Sequence, residues 1–337
     1  MRRIRAGLTA EAEENTMKRK QIAKLPAITS GNGAALKKLA EYEKKARGAV
    51  APNTVLALRA DTAIFVAWCA EYSHETLPAS PDTVTAFIDA QSEVKAPATI
   101  KRYIASIAHL HRAAGLDDPT KDDGPKLALK RMARAKGTRQ KQASPLNRPA
   151  IDRMITSAGD SLRGLRDIAL VTTLYDTLAR STELIDLDVE DMTTAEDGAG
   201  TVIIKRSKGD QEGQGSIRFL AADTVEHVKR WIEEAGIEDG PLFRAVAKGG
   251  DVRGRLYRQD IRHILIAMAK RAGLDIDPSG HSVRIGVAQD MVSAGFSLPE
   301  IMVAGGWRSP EMVARYSEHL QVRSGAAAKL AAKQNRT

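Results

Sequence analysis

Only two stretches of this chain read as β-strands, TVIIK at Thr201–Lys205 and SIRFL at Ser216–Leu220. Both are rich in β-branched and aromatic residues. They flank RSKGDQEGQG, a Gly-rich separator that suits a long hairpin. Elsewhere the apolar residues recur mostly at helical spacing. The expected fold is therefore mainly α, with mixed α/β character confined to one small antiparallel sheet in the second half of the chain.

Residues 1–33 are polar and basic, end in SGNG, and are expected to be mostly disordered. A helical stripe follows over Thr54–Tyr72, formed by Leu56, Leu58, Ile64, Phe65, Ala67 and Trp68. Pro78, Ser80 and Pro81 break it, and Ser80-Pro-Asp-Thr opens a shorter helix through Ala90. A third pattern starts near Pro97, carries Ile100, Tyr103, Ile104, Ile107 and Leu110, and stops at Gly115; a fourth covers Pro125–Ala135. Residues 34–136 thus read as a helical domain and residues 137–148 as a linker. Residues 149–320 read as a second domain, with helices at Pro149–Ser157 and Leu162–Leu178, then the hairpin. Further helices are expected at Ala222–Ala235, Gln259–Ala272, Val283–Ala294, Pro299–Ala304 and Pro310–Glu318. The tail, residues 321–337, has a helix-like Ala-rich end.

The 337 residues carry 51 Lys and Arg against 42 Asp and Glu, a formal net charge of +9. That surplus favours a polyanionic partner, nucleic acid before an anionic membrane surface. With Cys69 the single cysteine, neither an intrachain disulfide framework nor a cysteine zinc site is available. No apolar run reaches the roughly 18 residues of a spanning helix. The start MRRIRAGLTAEAEEN has no apolar core, so a cytoplasmic protein is expected. No acidic residue falls between Gly124 and Ile151, whereas Lys126, Lys130, Arg131, Arg134, Lys136, Arg139, Lys141 and Arg148 do. This stretch is either a solvated helix end with a loop, or a strap lying along phosphates.

Four elements carry side chains suited to phosphate chemistry. Arg180 and Glu183 lie in LARSTEL, at the end of an apolar helical pattern, and Lys208 lies in the hairpin separator. His281 and Arg284 form HSVR after a Pro-Ser-Gly break. Trp307 follows Gly305-Gly306 and precedes Tyr316 of ARYSEH. Singly, each has an ordinary explanation: an Arg three residues before a Glu is usually a helical ion pair, a hairpin Lys is usually solvated, and His-x-x-Arg is common by chance. The run Asp186, Asp188, Glu190, Asp191 is the best candidate for a metal site, but its alternation suits an exposed turn better.

Taken together and in this order, these residues resemble the signature of the tyrosine recombinase, or phage integrase, family, and within it the Cre-like enzymes. The resemblance is densest over HSVRIGVAQDMVSAGFSLPEIMVAGGWRSPEMVARYSEHL, residues 281–320. It extends back through LYDTLARSTELIDLDVEDM to VAWCAEY and TIKRYIASIAHLHRAAGL. It implies a helical core-binding domain, followed by a catalytic domain that cleaves and rejoins DNA through a 3′-phosphotyrosyl intermediate, without metal, ATP or other cofactor. Arg180 and Arg284 would grip the scissile phosphate, Tyr316 would be the nucleophile, and His281 would assist proton movement. Trp307 would hydrogen-bond a phosphate oxygen, Lys208 would protonate the leaving 5′ oxygen, and Glu183 would orient its neighbours. This division of labour is chemically sensible: guanidinium groups match phosphate geometry and can stabilise added charge, while an unassisted Tyr, with a free pKa near 10, is a poor nucleophile at neutral pH.

The implied partner is double-stranded DNA with inverted-repeat half-sites, bound by a homodimer on each site and a homotetramer in the synapse. No membrane and no small-molecule substrate is implied. The source would be bacterial, phage or plasmid, with the protein on the nucleoid. DNA contacts are expected from Lys101, Arg102, Arg134, Lys136 and Arg139, and from Arg258, Gln259 and Arg262 on a helix matching the family's major-groove helix. There the chain departs from Cre-like enzymes, with Gln259 in place of a base-reading Arg and Arg262 in place of a nearby Glu. Ala98 stands where a Lys is found near the cleavage site, for which Lys95 or Lys101 could substitute. Two other readings remain: a type IB topoisomerase or telomere-resolvase-like strand transferase, and a DNA-binding protein without chemistry.

Overall fold

Pro52, Pro81 and Pro97 each open a helix, at the turn where a missing N–H costs nothing. The computed structural model describes residues 33–139, 141–206 and 213–336. It divides into two compact units, residues 1–140 and 141–337.

The first unit is helical: α1 (Gly33–Ala46), α2 (Pro52–Glu71), α3 (Pro81–Val94), α4 (Pro97–Ala113) and α5 (Asp123–Lys136). The Ser80 hydroxyl caps α3 by accepting the Thr83 N–H at 3.1 Å. The core joins Phe65, Cys69, Val84, Phe87, Ile88, Ile100 and Ile107, with Phe65 and Phe87 edge-to-face at 5.1 Å. Inside it, buried His111 accepts the Ala79 N–H through Nε2 at 2.9 Å.

The second unit begins with α6 (Arg148–Thr156), α7 (Leu162–Thr177) and the short α8 (Ser181–Ile185). Next come β1 (Met192–Thr194), β2 (Gly200–Ile204), β3 (Ser216–Leu220) and α9 (Ala222–Glu234). The hairpin β4 (Arg244–Val246) and β5 (Val252–Arg255) precedes α10 (Arg258–Arg271), α11 (Ser282–Ser293), α12 (Leu298–Gly305), α13 (Glu311–Ser324) and α14 (Ala326–Lys333). The core is built on α7, α9, α10 and the sheet around fully buried Trp231, whose indole N–H donates to the Leu242 carbonyl at 2.8 Å.

The mainly α fold is as expected, but the single small sheet is corrected. Strand β1 adds to β2 and β3 in an antiparallel order β1-β2-β3, and β4 with β5 makes a second, two-stranded sheet. These strands, MTT, RAV and VRGR, are too short to show a period-two pattern. Helix α13 also runs past Glu318 to Ser324.

Residues 141–147, read as linker from composition, are built into the second unit. Leu146 is fully buried and its N–H donates to the Ser282 carbonyl at 2.9 Å. Helix α11 allows this approach only because residue 286 is glycine: an added Cβ would lie 1.9 Å from the Leu146 carbonyl oxygen. Gly286→Ala is therefore expected to destabilise the second unit by about 1–3 kcal/mol through overpacking. Urea unfolding of the variant and the parent checks this, and an unchanged midpoint would refute the close approach.

Candidate active site

The turn between α7 and α8 sets the site. Leu178 ends α7 in the left-handed region, at φ 49° and ψ 27°. For a leucine this costs about 1–2 kcal/mol. It ends the helix, and two residues later Arg180 is the N-cap of α8. The Glu183 carboxylate then closes the motif locally, accepting the Arg180 N–H at 2.8 Å and the Arg180 Nη1 at 2.5 Å. The ion pair expected from the spacing exists, but it spans a helix start, and it leaves the Arg180 side chain partly exposed while Glu183 is buried.

Arg284 lies on α11 and is buried. Its guanidinium donates through Nη1 to the Leu178 carbonyl and through Nη2 to the Gly305 carbonyl, the latter at 3.0 Å. It also sits 4.6 Å from the centre of the Trp307 ring. Burial, then the nearby Arg180 charge, pull its pKa down to about 10, against the opposing pull of Glu183. It thus stays protonated at neutral pH.

The indole of Trp307 folds back over Gly305, where a Cβ would fall 2.0 Å from the ring. Tyr316, on α13, is buried, with its ring 6.1 Å from that of Trp307 at 70°. Its main-chain carbonyl accepts the side-chain amides of Gln289 at 2.8 Å and Gln142 at 3.3 Å. Tyr316 packs with Ile285, Ala288, Ala143 and Trp307.

Arg180, Glu183, Arg284, Trp307 and Tyr316 therefore converge, while His281 is the exposed N-cap of α11, its N–H on the Ser279 hydroxyl at 3.1 Å. Lys208 lies outside the described residues. The acidic run is engaged in structure: Asp188 binds Lys205 at 3.0 Å and Arg255 at 2.5 Å, and Asp191 binds Lys205 at 2.9 Å. Arg255 and Lys205 hold the Asp188 carboxyl below its ordinary range. Among the described residues no group of three or more His, Cys, Asp or Glu is placed to hold a metal ion.

Of the basic candidates, Lys101 and Arg102 are exposed on α4, with Arg102 paired to Asp61 at 2.9 Å. Arg134 and Lys136 are exposed in the last turn of α5, with Arg139 exposed just beyond. Arg258, Gln259 and Arg262 are exposed in the first turns of α10, Arg262 bound to Asp277 at 2.7 Å. Sequence reasoning missed Gln142, Gln289 and Arg218, whose Nη1 donates to the Val303 carbonyl at 3.0 Å. Nothing in the linker-like composition around Gln142 marked it. Arg218 carried a signal: within SIRFL it shares a strand face with Leu220.

Residues 145–323 match the phage integrase family. The chain is 30% identical over 287 residues to recombinase cre of Escherichia phage P1, covering 79% of this chain and 84% of that protein. It is 31% identical over 280 residues to an integrase/recombinase xerD homolog of Selenomonas ruminantium, covering 80% and 82%. The crystal structure of the XerH site-specific recombinase, bound to palindromic difH substrate in a post-cleavage complex, shares the fold. Its TM-score is 0.58 at 19% identity, over 86% of this chain and 84% of that one.

The two bonds of Glu183 can be separated by substitution. Glu183→Gln keeps an acceptor for the Arg180 N–H and loses the charge, so it should cost about 1 kcal/mol. Glu183→Ala loses the cap as well and should cost about 2 kcal/mol. Equal destabilisation of the two variants in denaturant unfolding would show that the cap contributes nothing.

Proposed function

We infer that this chain, which belongs to the phage integrase family and is a site-specific tyrosine recombinase, breaks and rejoins DNA through a 3′-phosphotyrosyl bond at Tyr316. The observation that carries this assignment is the joint placement of Tyr316, Trp307 and Arg284, with Arg180 within electrostatic reach of Arg284. Two guanidinium groups and a phenol around one point suit a phosphodiester, whose attack by an oxygen adds negative charge in the transition state.

In this reading Arg180 and Arg284 hold the non-bridging phosphate oxygens. Glu183 fixes Arg180, and Trp307 packs Arg284 and donates its indole N–H to the phosphate. His281 takes or relays the phenolic proton. Lys208 supplies the proton that the leaving 5′ oxygen needs, and a second DNA 5′-hydroxyl reverses the attack on a new strand. No metal, nucleotide or other cofactor enters. The partner is duplex DNA with inverted half-sites, held by two copies per site and four in the synapse, in the cytoplasm of a bacterial host. The exposed amide of Gln259 at the start of α10 suits adenine N6 and N7, with Arg258 and Arg262 alongside. Lys101 and Arg102 on α4, and Arg134, Lys136 and Arg139 around the end of α5, meet the backbone. A relaxing topoisomerase would use the same chemistry but not exchange flanking DNA between two sites.

Tyr316→Phe should bind DNA as the parent does and form no covalent adduct when incubated with a random duplex library. Mapping the protein-linked 3′ ends identifies the site for the parent, and an adduct formed by the Phe variant would refute Tyr316 as nucleophile.

Replacing Arg134, Lys136 and Arg139 with Gln should weaken binding to all duplexes alike. It should reduce the slope of log affinity against log salt by about 0.9 for each lost phosphate contact. A salt titration giving an unchanged slope would assign this stretch to solvent.

A further inference from the structure

Strand β3 is turned the wrong way for a simple core. Its register pairs Arg218 with Val202 and Ile217 with Ile203. Ser216, Arg218 and Leu220 face inward, while Ile217 and Phe219 are left exposed. A slip of one residue would bury both large apolar side chains and free the arginine, but would expel Leu220 from the core. The observed register keeps Leu220 in the core and places a half-buried guanidinium on the same face.

That guanidinium is aimed at the active site. Its Nη1 donates to the Val303 carbonyl at 3.0 Å, in the last turn of α12, two residues before the carbonyl that Arg284 binds. Gly306 then takes the left-handed conformation at φ 62°, and a Cβ there would lie 2.3 Å from the Arg218 Nη2. The Gly-Gly-Trp turn is thus shaped around two arginines, one from α11 and one from β3. Arg180, Arg218 and Arg284 gather near a single carboxylate, Glu183, so three positive charges meet one negative charge. Burial lowers the pKa of Arg218, and Arg180 lowers it further against the pull of Glu183. Arg218 in turn contributes to the lowering at Arg284. Such an excess of like charge in a half-buried site is unfavourable until an anion binds there.

We propose that Arg218 is a third guanidinium of the phosphate site, a catalytic residue that donates to a non-bridging oxygen of the scissile phosphate. One Nη1 proton is committed to Val303, and a guanidinium has five donors in a planar fork, so donors remain for the phosphate. The proposal rests on strand cleavage by Tyr316. It adds a residue of the β-sheet to the charge clamp made by Arg180 and Arg284.

The test uses the full chain and a duplex carrying the cleavage position mapped for Tyr316. One version has a normal phosphodiester there and the other a methylphosphonate, which lacks the negative charge of a non-bridging oxygen. Rates of adduct formation are measured at saturating protein. Arg218→Met should slow the phosphodiester reaction about 100-fold, as loss of a transition-state donor typically does, and the methylphosphonate reaction only within about threefold. Arg218→Lys, which keeps the charge but loses the fork, should fall between, at about 10-fold on the phosphodiester. It also serves as the readout if the Met variant does not fold. An equal loss on both substrates, or no loss on the phosphodiester, would overturn the assignment and leave Arg218 as a tie between β3 and α12. If the parent itself forms no Tyr316 adduct, the strand-cleavage reading fails first and takes this one with it.

Discussion

The buried guanidinium of Arg284 is the contact on which the second unit's functional face is organised. Taking a charge out of water costs several kcal/mol unless its donors are satisfied. Here two main-chain carbonyls and an aromatic ring meet that requirement. One carbonyl belongs to Leu178, at the end of α7, and the other to Gly305, at the end of α12. Helix C-termini present unpaired carbonyls and partial negative charge, which suits a cation. The ring is Trp307. One side chain from α11 thereby fixes the turn that presents Arg180 and the turn that presents Trp307, and Trp307 packs on Tyr316.

Three strained or crowded positions fall at the same place. Leu178 is left-handed without being glycine, Gly305 leaves room for an indole over its Cα, and Gly306 is left-handed beside Arg218. Gly306 is an ordinary glycine helix cap, whereas a left-handed leucine and a glycine covered by an indole are not. Together they bring carbonyls and cations from α7, α11, α12 and β3 to one spot. Away from it, the carboxylates of Asp188 and Asp191 serve as anchors, tying Lys205 at the end of β2 and Arg255 on β5.

Tyr316 is held by its backbone as much as by its ring. Its carbonyl takes amides from Gln289 on α11 and from Gln142 in the segment before α6. A stretch with the composition of a linker thus helps place α13. Linker-like composition reports only that a segment lacks periodic apolar residues, and a short segment anchored by one buried side chain, Leu146, needs none.

The sequence by itself determined the helical periodicity, the hairpin partners β2 and β3, the chain order of Arg180, Glu183, His281, Arg284, Trp307 and Tyr316, and through them the family. These are local patterns: helix starts are marked by Pro and Ser, and the chemistry-bearing residues sit in short motifs. Tertiary structure alone decided which cations share a pocket, because that depends on strand register and on contacts between residues far apart in the chain. Arg218 looks like any strand arginine until the register turns it inward. Gln142 looks like linker until its amide meets Tyr316. Strands β1, β4 and β5 are too short for local pattern to mark, and they exist because paired neighbours satisfy their backbone groups.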